Sequence, residues 1–457
     1  MDDCHNSWGT TLCVPDIQRG KRKAAVMEAQ PDESDLSTFR LLAAKDLGWQ
    51  LPLIKITPCG SDANLYAVNA ATMGNNEGCL MAAGSYVSGD GGPLQVWSTS
   101  SFSIDQGPAY IKTPDEVTNQ FTKTHTFALP YYIPGVMSNA DREKYEDECL
   151  MDLHIRCLVQ QMKGKPVTAV FLELTLANNG ATLSDRALTM LGQLARHHRF
   201  GFIVDEIMTG GREGTMTSSQ TKPSEFTKYI KYLTMGKWMT RGLVFASEEE
   251  RNKQTETLGG MSRRGQSTSI DCRSAMDLWT TASNLLSNTA KRRQTVLRRL
   301  GVTEDQVWGK GLHIFAPVSR QSNSTGSKLR FLPMLSNTPI DSFRLEKRNI
   351  KWTKQHVSDT TVKLSRSWLS LQYIETQEDK NYYNLASAFA QMPFDQFLST
   401  QHILDEVMPS DKSMNTKTLS VILRVAEEAG LVSKMLKTVK RIRGWEIQEY
   451  SNPPWGL

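Results

Sequence analysis

An α/β fold, with a mostly parallel sheet flanked by helices and a smaller α+β domain after it, is the class this sequence predicts. Two observations carry that expectation. Between about residues 50 and 250, short β-rich runs alternate with segments of helical period, the pattern of β-α-β units. The chain is also 457 residues long, enough for two or three domains around a large core.

The β-rich runs are Val167-Thr168-Ala169-Val170-Phe171-Leu172, Gly201-Phe202-Ile203-Val204 and Leu243-Val244-Phe245-Ala246. Between the first two, Ser184 to His198 places Leu188, Leu191, Ala195 and His198 on one helical face, with Gly201 where a helix stop is expected. From 275 to 390 the pattern is mixed: a helical stretch Ser274 to Asn288, and short apolar runs such as Leu312 to Ala316. No internal repeat or long low-complexity segment interrupts the chain.

Composition narrows the function classes. With 39% hydrophobic and 22% charged residues and no apolar run near the ~18–20 residues that span a bilayer, a membrane role is not expected. The net charge of +5 is small for this length and does not describe a nucleic-acid-coating protein. Seven cysteines lie scattered without C-x-x-C pairs, so no metal centre is expected; they read as reduced thiols of a cytoplasmic protein. The N-terminus shows neither signal-peptide nor transit-peptide character.

Three segments carry chemistry. The first, Pro58-Cys59-Gly60-Ser61-Asp62-Ala63-Asn64, follows the apolar Leu53-Ile54-Lys55-Ile56 and opens a helix with Ala63, Tyr66, Ala67 and Ala70 on one face. A helix start has unpaired N–H groups and partial positive charge, so Gly60 and Ser61 stand where a phosphate could bind; taken alone, they read first as an ordinary capped helix with Ser61 as the cap. The second, Phe202-Ile203-Val204-Asp205-Glu206, delivers a carboxylate at the C-terminal edge of a strand, where open α/β sheets place ligands. Such an Asp can keep a pyridine nitrogen protonated. A magnesium-binding Asp would need a Walker-type phosphate loop upstream, and the sequence has none. In the third, Tyr232-Leu233-Thr234-Met235-Gly236-Lys237, a lysine arrives just past a strand at the same sheet edge, where its amine can condense with an aldehyde.

Gly60-Ser61-Asp62-Ala63-Asn64, Val204-Asp205-Glu206-Ile207-Met208-Thr209-Gly210 and Thr234-Met235-Gly236-Lys237 together resemble, in order and spacing, the three central motifs of class III pyridoxal-phosphate aminotransferases, which have the fold-type I architecture. Weaker resemblances are Ser85-Tyr86, Phe171-Leu172-Glu173-Leu174 and Arg264-Gly265-Gln266-Ser267-Thr268-Ser269, and the similarity spans roughly residues 5 to 290.

The resemblance implies pyridoxal 5'-phosphate held as a Schiff base by Lys237, with Asp205 at the pyridine nitrogen. It further implies Gly60, Ser61 and Asp62 at the phosphate, Tyr86 over the ring, Glu173 on the substrate side, and Ser267 or Thr268 reaching across a homodimer interface. Met208 stands where the family has a glutamine touching the phenolic oxygen; it cannot donate that bond, a departure that bears on cofactor electronics. Arg212, Arg241 and Arg264 are candidates for a substrate carboxylate. The implied reaction is transamination between an amino donor and a keto acceptor. Alternatives within the same cofactor chemistry are an aminomutase, a racemase or a decarboxylase; outside it stands a degenerate ligand sensor.

On this reading residues 1–45 form an N-terminal segment of the small domain, 46–275 the large cofactor domain, 276–390 a small α+β domain and 391–457 a helical, basic tail with winged-helix spacing. In the tail a helix near Thr400 to Val407 and another from Thr416 to Ala429 precede a hairpin in which Lys434, Lys437, Lys440, Arg441 and Arg443 face only Glu446 and Glu449 in charge. A packing or protein-contact role is the first reading of the tail, and nucleic-acid contact through 391–457 the second.

Overall fold

The computed structural model describes residues 33–48, 51–57, 60–73, 78–83, 101–103, 107–109, 124–176, 179–236, 241–250, 269–316, 318–320, 330–333, 343–345, 354–367, 369, 376–407, 414–437 and 442–456. The first helix among the described residues, α1 (Glu33–Leu47), leads into β1 (Leu53–Thr57), α2 (Gly60–Met73), β2 (Cys79–Ala83) and β3 (Thr124–Phe127). Then come α3 (Asn139–Met162), β4 (Val167–Glu173), α4 (Asp185–His198), β5 (Gly201–Glu206), β6 (Ile230–Met235), β7 (Gly242–Ala246) and α5 (Ser269–Leu286).

The seven strands form one sheet in the order β1-β7-β6-β5-β4-β2-β3. β3, β2, β4, β5 and β6 are mutually parallel, and β7 pairs antiparallel with both β6 and β1. Helices cover both faces, so the central strands read as continuous apolar runs rather than alternating ones. Phe202, Ile203 and Val204 on β5 are all fully buried, and each large apolar side chain so placed contributes about 1.5–3 kcal/mol.

Residues 185–198 are helical as expected, with Ser184 as N-cap: its hydroxyl accepts from the Ala187 N–H at 3.0 Å. The stop differs from the sequence expectation. Arg199, in the left-handed region at φ 59°, ends the helix, and Gly201 is already the first residue of β5. The Arg199 N–H bonds to the Ala195 carbonyl, and that closing bond holds a non-glycine residue at positive φ.

The helix α1, in the stretch the sequence reading split between the small domain's N-terminal segment and the large domain, packs into the core of the large sheet. Phe39 lies edge-on to Trp279 of α5 at 5.7 Å, Trp279 Nε1 donates to Asp46 at 2.6 Å, and Arg40 Nε donates to the Leu53 carbonyl at 2.8 Å.

Beyond α5 lie α6 (Thr289–Leu300), β8 (His313–Ala316), β9 (Val318–Arg320), β10 (Arg330–Pro333), β11 (Phe343–Leu345) and α7 (Lys354–Ser367). β8 pairs with β10 and β9 with β11, giving two short antiparallel ladders.

The C-terminal unit follows as α8 (Gln377–Gln391), β12 (Phe397–Ser399), a helical turn through 400–407, α9 (Thr416–Glu428), β13 (Val432–Lys437) and β14 (Ile442–Ile447). Its three strands lie in the order β12-β14-β13. α8, which ends at residue 391, shares its core with this unit: Leu385 and Phe389 pack with Leu419, Leu423, Leu431 and Ile447.

α3 joins the two bodies. Leu150, Leu153 and Cys157 belong to the core of the large sheet, and Ile155, Leu158, Val159 and Met162 belong to the core of the C-terminal unit. A helix apolar on two faces must be covered on both sides. Polar contacts fix the junction: Lys163 pairs with Asp379 at 2.5 Å, and the Tyr383 hydroxyl donates to Asp152 at 2.5 Å.

Candidate functional site

The strands β4, β5 and β6 end level with one another. Glu173, Asp205 and Thr234 are register partners across the three strands at their C-terminal edge. This is where a doubly wound sheet leaves its ligand crevice, because the connecting loops diverge there.

Asp205 is buried and fixed from two sides. The Ile207 N–H donates to Oδ1 at 2.8 Å, and Asn64 Nδ2, from the first turns of α2, donates to Oδ2 at 2.8 Å. Asn64 is held in turn by the Thr234 hydroxyl, which donates to its side-chain oxygen at 2.6 Å. Each of the three sequence segments thus supplies one member of a single buried network. Hydrogen bonds to an ionised carboxylate are charge-assisted, and bonds of this kind are the strong ones.

The same geometry brings the helix start to the sheet edge. Gly60 is the first residue of α2, and a Cβ there would lie 2.7 Å from Ile207 Cδ1. Gly236, immediately before Lys237, leaves room on the other side: its Cβ would lie 3.0 Å from the Arg241 carbonyl oxygen and 3.4 Å from Gly60 Cα. Gly236 permits a close backbone approach that a side chain would hinder, and Gly60 leaves room for the Ile207 side chain. The N-terminal N–H groups of the 14-residue α2 therefore sit beside the end of β6.

Of the residues singled out in the sequence, Gly60, Asp62, Glu173, Asp205 and Met208 are described in full and Ser61 by its place in α2. Asp62 is exposed in the first turn of α2, Glu173 is buried at the end of β4, and Met208 is half-buried against the large core. Lys237, Tyr86, Ser267 and Thr268 lie outside the described residues, as does Arg264. Arg212 is buried; its guanidinium donates to the Met208 carbonyl, and its own carbonyl accepts from the Leu312 N–H at 2.7 Å. Burial pushes its pKa down to about 9, and its bonds give it a place in building the turn after β5.

Three residues to which the sequence reading gave no role belong to this site. Asn64 and Thr234 lie within the quoted segments, and their signal was a polar side chain on a buried face: Asn64 precedes the buried Ala67 and Val68 by three and four residues. The third, Tyr131, is fully buried and donates to the Glu173 carbonyl at 2.6 Å. Burial, followed by the negative charge of Glu173, holds its phenol well above the usual tyrosine range, so it acts as a donor. Next to Asp205, Glu206 is fully buried and turned the other way, accepting from the Ser218 N–H at 2.5 Å, the Ser219 N–H at 2.8 Å and the Ser219 hydroxyl. Burial outweighs those donors and raises its pKa to about 7.

Among the described residues, Cys79, Cys149, Cys157 and Cys272 are buried free thiols, and no helix is long and apolar enough to cross a membrane.

No protein-family model matches the sequence, and no curated protein matches it. Solved structures do match the fold. A phospholyase from Arthrobacter in complex with phosphoethanolamine superposes with TM-score 0.53 at 14% identity, over 79% of this chain and 89% of that one. A taurine:2-oxoglutarate aminotransferase from Bifidobacterium kashiwanohense gives 0.51 at 13% identity, over 78% and 86%. Lysine aminotransferase from M. tuberculosis gives 0.50 at 17%, over 78% and 85%. At these identities the likeness is one of architecture: this chain is similar in fold to the solved aminotransferases.

Proposed function

We propose that this protein is a pyridoxal-phosphate-dependent aminotransferase, passing an amino group from an amino donor to a keto acceptor. The observation that carries the reading is the meeting at one sheet edge of Gly60 at a helix start, a doubly anchored Asp205, and Gly236 next to Lys237. The described residues fit the cofactor: a helix N-terminus suits a phosphate, and a buried, oriented carboxylate suits a protonated ring nitrogen. Pyridoxal phosphate, when bound, supplies an aldehyde and an electron-withdrawing ring.

The chain's own residues have the following parts. Gly60, Ser61 and Asp62 receive the phosphate through backbone N–H groups and the Ser61 hydroxyl. The Asp205 carboxylate holds a proton on the ring nitrogen, and Asn64 and Thr234 keep that carboxylate aimed. The Lys237 amine attaches the cofactor and afterwards carries a proton to and from the substrate carbon. Tyr86 covers the ring, Glu173 lines the substrate side, and Ser267 or Thr268 closes the phosphate site from the second protomer of a homodimer. Met208 leaves the phenolic oxygen without the donor that a glutamine provides.

The test is the visible spectrum of the purified protein with added pyridoxal phosphate, before and after borohydride, in wild type and Lys237→Ala. A band fixed by borohydride in the wild type and missing from the variant supports the reading, and incubation with amino donors then has to yield a keto product. The same fold serves the Arthrobacter phospholyase, so phosphoethanolamine belongs in the donor screen. Cofactor attachment without any keto product turns the assignment to another reaction of the same cofactor; no attachment in folded protein overturns it.

The C-terminal unit has the helix-strand-helix-helix-strand-strand order of a winged helix, and we read it as a packing module. On α9 itself the exposed Lys417 and Arg424 are balanced by Glu427 and Glu428, so this helix offers no excess of positive charge to a phosphate backbone.

A further inference from the structure

The C-terminal unit closes on the large domain through three histidines. His154 lies on α3, and His197 and His198 are the last residues of α4; each offers a ring nitrogen, and these nitrogens all lie within 4.8 Å of one another. Their other nitrogens are held by two consecutive residues, Tyr450 and Ser451. His154 Nε2 is 2.9 Å from the Ser451 carbonyl oxygen and His197 Nε2 is 2.9 Å from the Tyr450 carbonyl oxygen. A carbonyl only accepts, so both Nε2 atoms carry protons and both Nδ1 atoms carry lone pairs.

His198 Nδ1 lies 3.1 Å from the Tyr450 hydroxyl, a group able to donate or accept. That freedom lets the proton of His198 sit on either nitrogen. On Nε2 it makes the 2.9 Å bond to His154 Nδ1. On Nδ1 it goes to Tyr450, and Nε2 then presents a lone pair beside that of His154.

We infer that His154, His197 and His198 form a site for a transition-metal ion that prefers imidazole ligands, with zinc(II) as the reference case. Metal-binding histidines are oriented by donating their outer N–H to a carbonyl or a similar acceptor, and here all three outer nitrogens face such partners. Burial keeps His154 and His198 in the neutral form that ligates. An all-imidazole donor set excludes magnesium and calcium, which take oxygen ligands. Nitrogens about 2.0–2.1 Å from a tetrahedral ion stand ~3.3 Å apart. His154 and His198 are already at 2.9 Å, so the adjustment falls on His197, whose half-buried ring also opens the site to solvent for a fourth ligand and for entry. The ion would thereby strengthen the clasp between α3, α4 and the segment 450–451, well away from the sheet edge described above.

The experiment is a titration of the untagged, chelator-treated full chain with cobalt(II), read by its visible ligand-field bands, and with zinc(II), read by calorimetry. One ion per chain is expected, with affinity reduced about tenfold or more in His197→Gln and about tenfold in Tyr450→Phe, which keeps every ligand. His197 is half-buried, so its replacement leaves a folded protein in which the loss can be measured, and circular dichroism checks this. Absence of one-to-one binding, or binding equally strong in His197→Gln, Tyr450→Phe and His198→Gln, overturns the site and leaves the trio as a hydrogen-bond chain between the two units.

Discussion

Asn64 and Asp205, 141 residues apart in sequence, are joined by a 2.8 Å hydrogen bond from the Asn64 amide to Asp205 Oδ2. The bond ties the first turns of α2 to the end of β5, so the proposed phosphate end and ring-nitrogen end of one ligand are set by the same contact. Asn64→Ala removes a donor from a buried carboxylate and the acceptor of the Thr234 hydroxyl. A stability loss of about 1–3 kcal/mol is expected, read from the urea midpoint. A weaker grip on pyridoxal phosphate is expected with it, and an unchanged cofactor titration would separate Asn64 from the site.

At Gly60 the constraint is one of contact distance. Gly60→Ala puts a methyl 2.7 Å from Ile207 Cδ1 and 2.8 Å from its Cγ2, so Ile207 or α2 has to move. A cost of about 1–3 kcal/mol is expected, as for overpacking. In the double variant Gly60→Ala, Ile207→Ala the two effects should sum to less than their separate costs, because the methyl enters the space vacated by the isoleucine. A double-mutant cycle measures the coupling; strict additivity would show that the contact does not limit this position.

Glu206 gives a pH dependence with a definite sign. Its pKa in the folded protein is about 7 against an ordinary value of 4.5, so the folded state binds this proton more tightly than the unfolded chain does. Its contribution is full below pH 4.5 and is lost as pH rises through 7. Glu206→Gln mimics the protonated acid. The difference in unfolding free energy between wild type and variant is therefore expected to shift in the variant's favour between pH 4.5 and 7. A difference constant across that range would mean that the three donors hold the carboxylate ionised.

The junction at α3 predicts the result of truncation. Removing residues 376–457 strips the cover from Ile155, Leu158, Val159 and Met162. The shortened chain is expected to bind a hydrophobic dye and to aggregate, and Leu158→Ala in the full chain should cost about 2–5 kcal/mol. Lys163→Ala, which breaks only the partly exposed pair with Asp379, should cost about 1 kcal/mol or less. A truncated protein that stays monomeric and dye-free would count against the shared core.

The sheet was legible because its central strands are buried on both faces, which leaves runs such as Phe202 to Val204 with no polar residue to obscure them. The carboxylate at the end of that run could be placed for the same reason. Asn64 was harder to assign: helix-surface asparagines are common, and its partners Asp205 and Thr234 come from distant strands. Tyr131 lies in an irregular segment without periodicity, so nothing local points to the Glu173 carbonyl it serves. The stop of α4 was misplaced by two residues because a non-glycine residue, Arg199, adopts the left-handed conformation usually left to glycine. The kinship of α8 with the C-terminal unit is a matter of which core its apolar face enters, and amphipathic period alone does not encode that.

The two-sided burial of α3 also imposes an order on the protein's birth. The strip Ile155, Leu158, Val159 and Met162 leaves the ribosome long before the residues that cover it, the last of which is near Ile447. At synthesis rates of about 5–20 residues per second the interval is ~15–60 s, far longer than hydrophobic collapse. Until α8 and the strands after it arrive, a nascent chain with a finished sheet carries an uncovered apolar flank, the kind of surface through which partly made chains aggregate.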